Sequence, residues 1–384
     1  LKEAGMTLLE QLPQSLSTRL VASYGEALAL EIAEGYAGPR ATTFRANTLK
    51  ATARDVAVVL QTQGISYEQP AFYADAFAVD ETYARAIREL NLYEEGALYL
   101  QNFSAMIPPL VVNPHPQETI LDMTAAPGGK TCEMAALAHD AALITACEKN
   151  PIRAQKLRYN LEKQGVRKVS VLEQDARQLD SFFSFQKVLL DAPCSGSGTI
   201  RLYSEGKEDA ESGQGGEGGS EGAPRKHPAT RIDFTEDLLY RSMMAQRALL
   251  RKALQVVEPG GVVVYATCSV LPEENEQTIR DALDPAFTSL ALPAGVRGGS
   301  ASNDASRGGR ASKNGRRKGK GGASKGAQKS AMPPYIPMEV EVLPIPEELL
   351  AGVPLLPCAL EGAACVKPTT HFEGFFVAAL QRTR

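Results

Sequence analysis

Leu121–Thr131 reads LDMTAAPGGKT: a hydrophobic run that breaks into small residues, a proline and two glycines before helical periodicity resumes. A buried parallel strand ending in such a turn, with a helix beyond it, is the opening of a βα unit. Leu190–Thr199 (LDAPCSGSGT) and Val264–Glu276 (VYATCSVLPEENE) repeat the pattern. Three such turns imply three loops along one edge of a sheet, the edge at which open α/β sheets bind ligands. The second and third loops each present a cysteine, Cys194 and Cys268.

Outward from these turns, strand and helix alternate. Strands are predicted at Thr119–Met123, Ala142–Cys147, Val169–Leu172, Val188–Leu190 and Val262–Ala266, and helices at Gly129–Ala138 and Pro151–Gln164, the latter with proline in its first turn. Asp233 and Glu236 are expected to open a long helix that Pro259-Gly260-Gly261 stops. Gly374–Leu380 (GFFVAAL) reads as a final buried strand. The expected fold is α/β: a doubly wound, mainly parallel, Rossmann-like sheet over residues 95–384. Residues 1–94 are expected to form a small α+β domain. In it, one or two helices break near Pro13 and Gly25, and strands run at Thr43–Thr48 and Ile65–Tyr67. Between these strands a helix opens on a capping box of Thr52 and Asp55 and ends at Gly64. Arg45 and Lys50 there are read as phosphate contacts or ordinary surface charges. Ser204–Gly222 and Gly298–Ser330 hold too little apolar surface to offset ordering and are expected to be disordered insertions.

At 384 residues and 43% hydrophobic, the chain can fill a sizeable core. No run of about 18 apolar residues is present, so no membrane span is expected. It opens on Leu1 with no basic-then-apolar leader, and a cytoplasmic protein is expected. Six cysteines without a C-x-x-C pair, and four scattered histidines, indicate neither a metal site nor a disulfide framework. The net charge of −4 hides ten basic residues against one acid between Arg297 and Lys329, so total charge does not identify the partner.

Within Thr124-Ala125-Ala126-Pro127-Gly128-Gly129-Lys130, small residues let the backbone approach a ligand and start a helix. Glu148 follows Gly129 by 19 residues, the spacing of an acid that accepts from ribose hydroxyls. The dinucleotide fingerprint is absent, and Thr124 stands where a Walker loop needs glycine. S-adenosylmethionine is therefore the expected cofactor. Asp175 at the end of the third strand could accept from an adenine amino group, although taken singly such acids are usually strand-end caps. A lone cysteine is usually a small buried hydrophobe, but Cys194 and Cys268 both sit in turns where backbone donors can stabilise a thiolate.

Taken together, FRANTLK from Phe44, YLQNFSAMIPP from Tyr99, the three turns, and HFEGFFVAAL from His371 resemble the RsmB/Nop/Sun RNA cytosine-5 methyltransferases. The paired Pro-Cys and Thr-Cys turns behind an APGGK loop carry the resemblance; Thr124 departs from it, where the family often has cysteine. The resemblance implies that Cys268 attacks carbon 6 of cytosine, that Cys194 assists release, and that Asp191 stabilises the activated ring while lying near the cofactor. It also implies that Lys130 positions base or cofactor and that Arg153 lies near the same pocket. The expected partner is RNA, ribosomal first and transfer second, bound by a monomer. Two rivals stand: a non-catalytic RNA-binding ribosome-assembly factor, which the intact Cys268, Cys194, Asp191 and Lys130 oppose, and a P-loop hydrolase, which Thr124 opposes.

Overall fold

The computed structural model describes residues 7–180, 182–202, 234–284 and 339–384. Both expected insertions, Ser204–Gly222 and Gly298–Ser330, lie outside them, as does Asp233. The first part of the chain forms α1 (Gln14–Ala37), β1 (Thr42–Ala46), α2 (Ala53–Thr62), β2 (Ala76–Val79), α3 (Ala84–Arg88), α4 (Asn91–Glu94), β3 (Leu98–Leu100) and α5 (Phe103–Val112). The βα series follows: β4 (Thr119–Asp122), α6 (Gly129–Leu137), β5 (Leu143–Cys147), α7 (Pro151–Gln164), β6 (Val169–Leu172), β7 (Phe185–Asp191), α8 (Glu236–Val256), β8 (Val257–Thr267) and α9 (Glu276–Leu283). Four strands close the chain: β9 (Val340–Leu343), β10 (Leu355–Leu356), β11 (Ala364–Val366) and β12 (Phe375–Arg382).

Local chemistry accounts for most of these boundaries. Asn150 accepts from the amides of Ile152 and Arg153, Pro151 supplies the first turn of α7, and Gly165 ends it. Thr52 and Asp55 form the reciprocal capping box of α2. Helix α8 opens on Thr235, whose hydroxyl accepts from the Leu238 amide. The expected strand at Val262–Ala266 begins five residues earlier, because Val257 already pairs with Phe185 and the chain bulges before Val262 meets Lys187.

The large sheet runs β10-β11-β12-β8-β7-β4-β5-β6, with β9 also on β12. Strands β6, β5, β4, β7 and β8 are parallel, and β12 adds antiparallel to β8. The order therefore reverses between β4 and β7, the switch point at which such sheets bind ligands. Side chains alternate between the faces with period two. Leu121, Val188, Leu190, Val263 and Tyr265 share one core with α1 and α8, whereas Ile120, Leu189, Val264 and Ala266 share the other with α5, α6 and α7.

A second sheet, β2-β1-β3, is antiparallel. With α2 it encloses its own core, where Phe44 and Phe77 stack 5.6 Å apart. Ile65–Tyr67 is not a strand: Ile65 is buried, and only Glu68 makes a bridge, to Ala78, so β2 takes the edge expected of that segment. Helix α1 packs against the large sheet rather than this unit, and β3, beyond residue 94, completes the small sheet. Arg45 and Lys50 are not free surface charges. Arg45 is fully buried and donates to Gly129 O (3.2 Å), while Lys50 Nζ donates to the carbonyls of Glu95 (2.6 Å) and Lys163 (2.7 Å). Both hold the small sheet to α6 and α7.

Candidate active site

The loop after β4 is shaped by close backbone packing. Gly128 has φ 110°, and a Cβ there would lie 2.9 Å from Leu157 Cδ1 on α7, so glycine alone fits. Arg153 Nη2 donates to Ala126 O (2.7 Å) and Asn160 Nδ2 to Pro127 O (2.7 Å), fixing the loop on α7. The Ala125 amide donates to Cys147 O (3.0 Å) and the Thr124 hydroxyl to Asp191 O (2.7 Å). The loop thus spans the ends of β5, β4 and β7.

Lys130, at the start of α6, reaches back across this edge and places Nζ 2.8 Å from Asp191 Oδ2. Burial works to lower its pKa, but Asp191 with Cys268 and Asp122 outweighs that and leaves it raised, so Lys130 stays cationic. Its ammonium also lies 5.3 Å from the centroid of the Phe375 ring on β12.

Cys194 and Cys268 follow β7 and β8 and are both half-buried, close enough for one to act electrostatically on the other. The neighbouring Cys268 and burial together push the Cys194 thiol well above its ordinary value. The pair therefore holds one negative charge more readily than two, with Cys194 keeping its proton. The two turns are tied to each other at several points. The Ser197 and Ser269 hydroxyls lie 2.8 Å apart, the Gly198 amide donates to Cys268 O (3.0 Å), and the Gly374 amide donates to Gly198 O (2.8 Å). Tyr36 of α1 donates its hydroxyl to Ser197 O (2.5 Å).

The remaining strand ends carry carboxylates. Glu148 is buried at the end of β5, with Oε1 accepting from the Asn150 amide (2.8 Å) and Oε2 3.2 Å from Arg153 Nη1, so each oxygen keeps a lone pair for a further donor. Asp175 is the cap that such an acid usually is: it caps the turn at Ala176 and pairs with Arg177 through both oxygens, which lowers its pKa. Asp122, not singled out in the sequence, is fully buried beside this group. Burial raises it to about 6, although Thr131 Oγ1 donates to it (2.7 Å). An edge holding Asp122, Glu148, Asp175 and Asp191 together with small neutral Ala125 and Ala126 suits ribose hydroxyls and a cation better than a polyphosphate. Among the described residues no cluster of three or more His, Cys, Asp or Glu could hold a metal, and no helix is long and apolar enough to cross a membrane.

Comparison with known proteins agrees with this arrangement. A family model described as 16S rRNA methyltransferase RsmB/F matches residues 109–210 and 219–300. The chain is 31% identical over 242 residues to a ribosomal RNA small subunit methyltransferase F of Shewanella amazonensis, covering 62% of this chain and 47% of that protein. It is 33% identical over 259 residues to the human 28S rRNA (cytosine(4447)-C(5))-methyltransferase, covering 66% of this chain and 29% of that protein. It thus spans less than half the length of either relative. Against a tRNA (cytosine(49)-C(5))-methyltransferase of Pyrococcus abyssi it is 32% identical, covering 63% of this chain and 70% of that protein. Among solved structures, a methyltransferase homolog protein from Pyrococcus horikoshii superposes over 100% of both chains with a TM-score of 0.68 and 26% identity. On these matches, and on the paired cysteine turns behind the Thr124–Lys130 loop, the chain belongs to the RsmB/Nop/Sun family of RNA cytosine-5 methyltransferases.

Proposed function

We propose that the protein transfers a methyl group from S-adenosylmethionine to carbon 5 of a cytosine in RNA, with ribosomal RNA as first candidate and transfer RNA as second. The observation that carries this reading is the pair of half-buried cysteines on two turns tied together by the Gly198 amide and Cys268 O, beside the Lys130–Asp191 ion pair. The cofactor, when bound, supplies an electrophilic methyl on a sulfonium. Residues 124–130 would line it, Glu148 would accept from its ribose, and Arg153 would hold the loop from behind. Asp175 is a weaker candidate for the adenine, since Arg177 occupies both its oxygens.

Carbon 5 of cytosine is a poor nucleophile, so the ring must first be activated. Cys268 as thiolate adds to carbon 6, and the carbon 5–carbon 6 π electrons move into the ring, making carbon 5 nucleophilic. Asp191, aligned by Lys130, stabilises this species on its nitrogen 3 side. Once carbon 5 carries the methyl, a water takes its proton, the C5–H electrons re-form the carbon 5–carbon 6 double bond, and the sulfur–carbon 6 bond breaks with its electrons returning to Cys268. Cys194, held as a thiol, donates to the departing sulfur. The target base must be unstacked to reach sulfurs set between two turns. The small β2-β1-β3 unit is proposed as an RNA-contacting domain, and the protein as a cytoplasmic monomer.

The test is transfer of labelled methyl to total RNA and to ribosomal subunits, with nucleoside analysis and RNA sizing. Label in 5-methylcytosine is expected, abolished by Cys268→Ala, while Cys194→Ala accumulates a covalent protein–RNA adduct. Undiminished transfer by Cys268→Ala would remove it as nucleophile.

A further inference from the structure

We propose that Glu274 is a positioning residue whose buried carboxylate holds the residue following Cys194 and sets which of the two sulfurs carries the negative charge. The inference rests on the reaction proposed above. Glu274 is fully buried in the loop between β8 and α9. Its Oε1 accepts from the Ser195 amide (2.7 Å) and from Gln246 Nε2 (3.1 Å), and its Oε2 from the Ser195 hydroxyl (2.6 Å). The Ser195 hydroxyl in turn accepts from the Ser197 amide (3.3 Å), and the Ser197 and Ser269 hydroxyls lie 2.8 Å apart. Ser195 follows Cys194 and Ser269 follows Cys268, so Glu274 grips the Cys194 turn directly and reaches the Cys268 turn through Ser197. Burial raises its pKa, and these donors work the other way, since a carboxylate is an acceptor only and the set matches its ionised form. Its own backbone is held in turn, since Tyr265 donates its hydroxyl to Glu274 O (2.6 Å).

The charges around the cysteines are then unlike. Glu274 stands beside Cys194 and raises its pKa, whereas Cys268 interacts with the ammonium of Lys130. A negative neighbour on one sulfur and a positive neighbour on the other place the single thiolate on Cys268. The other ionisable groups facing this assembly are Asp191 and Asp122 beside Lys130, and Tyr265 with Arg247 beside Glu274, Arg247 being paired with Asp281 (2.7 Å).

The test is brief, substoichiometric iodoacetamide alkylation of the full-length protein without RNA or cofactor, across about pH 6–10, with the Cys194 and Cys268 peptides quantified by mass spectrometry. Wild type is expected to label Cys268 ahead of Cys194. Glu274→Gln removes the charge at nearly constant size and is expected to narrow that ratio about tenfold for each unit by which Cys194 falls. Glu274→Asp, keeping the charge, is expected to preserve the order. An unchanged ratio in Glu274→Gln, an equal collapse in Glu274→Asp, or no preference in wild type would overturn the assignment. Should Glu274→Gln not fold by far-ultraviolet circular dichroism, Ser195→Ala deletes one donor, favours protonated Glu274 and must narrow the ratio in the same direction; no change there overturns it equally. Because alkylation needs no methyl transfer, a wild type that transfers no methyl defeats the proposed reaction and leaves this readout intact.

Discussion

Replacing Gly198 by alanine tests the contact on which both cysteine turns rest. A Cβ at Gly198 would lie 1.9 Å from Gly374 O and 2.5 Å from its carbonyl carbon, and both are backbone atoms that no side-chain rotation can move. Reaching ordinary contact at 3.4 Å requires the two segments to part by about 1.5 Å. The hydrogen bond from the Gly374 amide to Gly198 O, now 2.8 Å, would then be broken, and that from Gly198 to Cys268 O strained. One or two buried backbone groups left unsatisfied cost about 1–3 kcal/mol each, and overpacking about 1–3 kcal/mol more. The expected total is about 3–5 kcal/mol in urea denaturation. Since Ser197 carries the neighbouring bond to Ser269, a shift of this size also separates the cysteines, for a loss of about 10²-fold in methyl transfer. Gly374→Ala pushes the same segments apart, with its Cβ 2.7 Å from Gly198 Cα, so the double variant should cost clearly less than the two singles combined. A Gly198→Ala protein that loses under about 1 kcal/mol and transfers methyl normally would refute this reasoning.

Lys130→Met is expected to lower kcat about 10²-fold or more while changing stability by less than about 2 kcal/mol, because it removes a cation at the reacting edge and leaves Asp191 partly solvated. Steady-state kinetics beside thermal melts separate the two effects. Asp122 binds its proton in the folded state at about pH 6 but near 3.8 when unfolded. Its share of stability therefore rises as pH falls through that window, by about 3 kcal/mol in all, and Asp122→Asn should flatten the corresponding slope in the difference curve. A difference curve of unchanged slope would show that Asp122 is not held in its buried, protonation-prone state. Arg45→Met strips Glu133 of its buried partner at 3.7 Å and removes the bond to Gly129 O, and should cost about 3–5 kcal/mol in denaturant titration.

What could be read from the sequence is what local rules govern. The strand ends and the three loops follow from apolar, β-branched runs that break into Gly, Pro and Ser, and both limits of α7 from Asn150 and Pro151 at one end and Gly165 at the other. Helix α5 did not show itself, because Pro108 and Pro109 lie inside it and its apolar residues are buried nearly all round, leaving no periodic stripe. Arg45 reads as a surface charge in any window of sequence, and only the distant Gln101, Glu133 and Gly129 reveal it as buried. Glu274 stands among the acids of PEENE, where nothing local distinguishes it from Glu273, which pairs with Arg19. Its donors come from Ser195 and Gln246, 79 and 28 residues away. The candidate site residues could thus be named from loop chemistry, while the residues that hold them could not, since their partners are remote in the chain.

The place of β12 gives the assembly of the site a clock. Strand β12 lies directly against β8, its Phe375 ring stands beside the Lys130 ammonium, and Gly374 just before it supports the turn of Cys194. All of these come at least a hundred residues after Cys268 in order of synthesis. A growing chain that already carries both thiols, the APGGK loop and the small sheet still lacks the wall on which its chemistry rests. Reactive sulfur and methyl-transfer machinery therefore come into register last, and a prematurely terminated product should be inert rather than partly active.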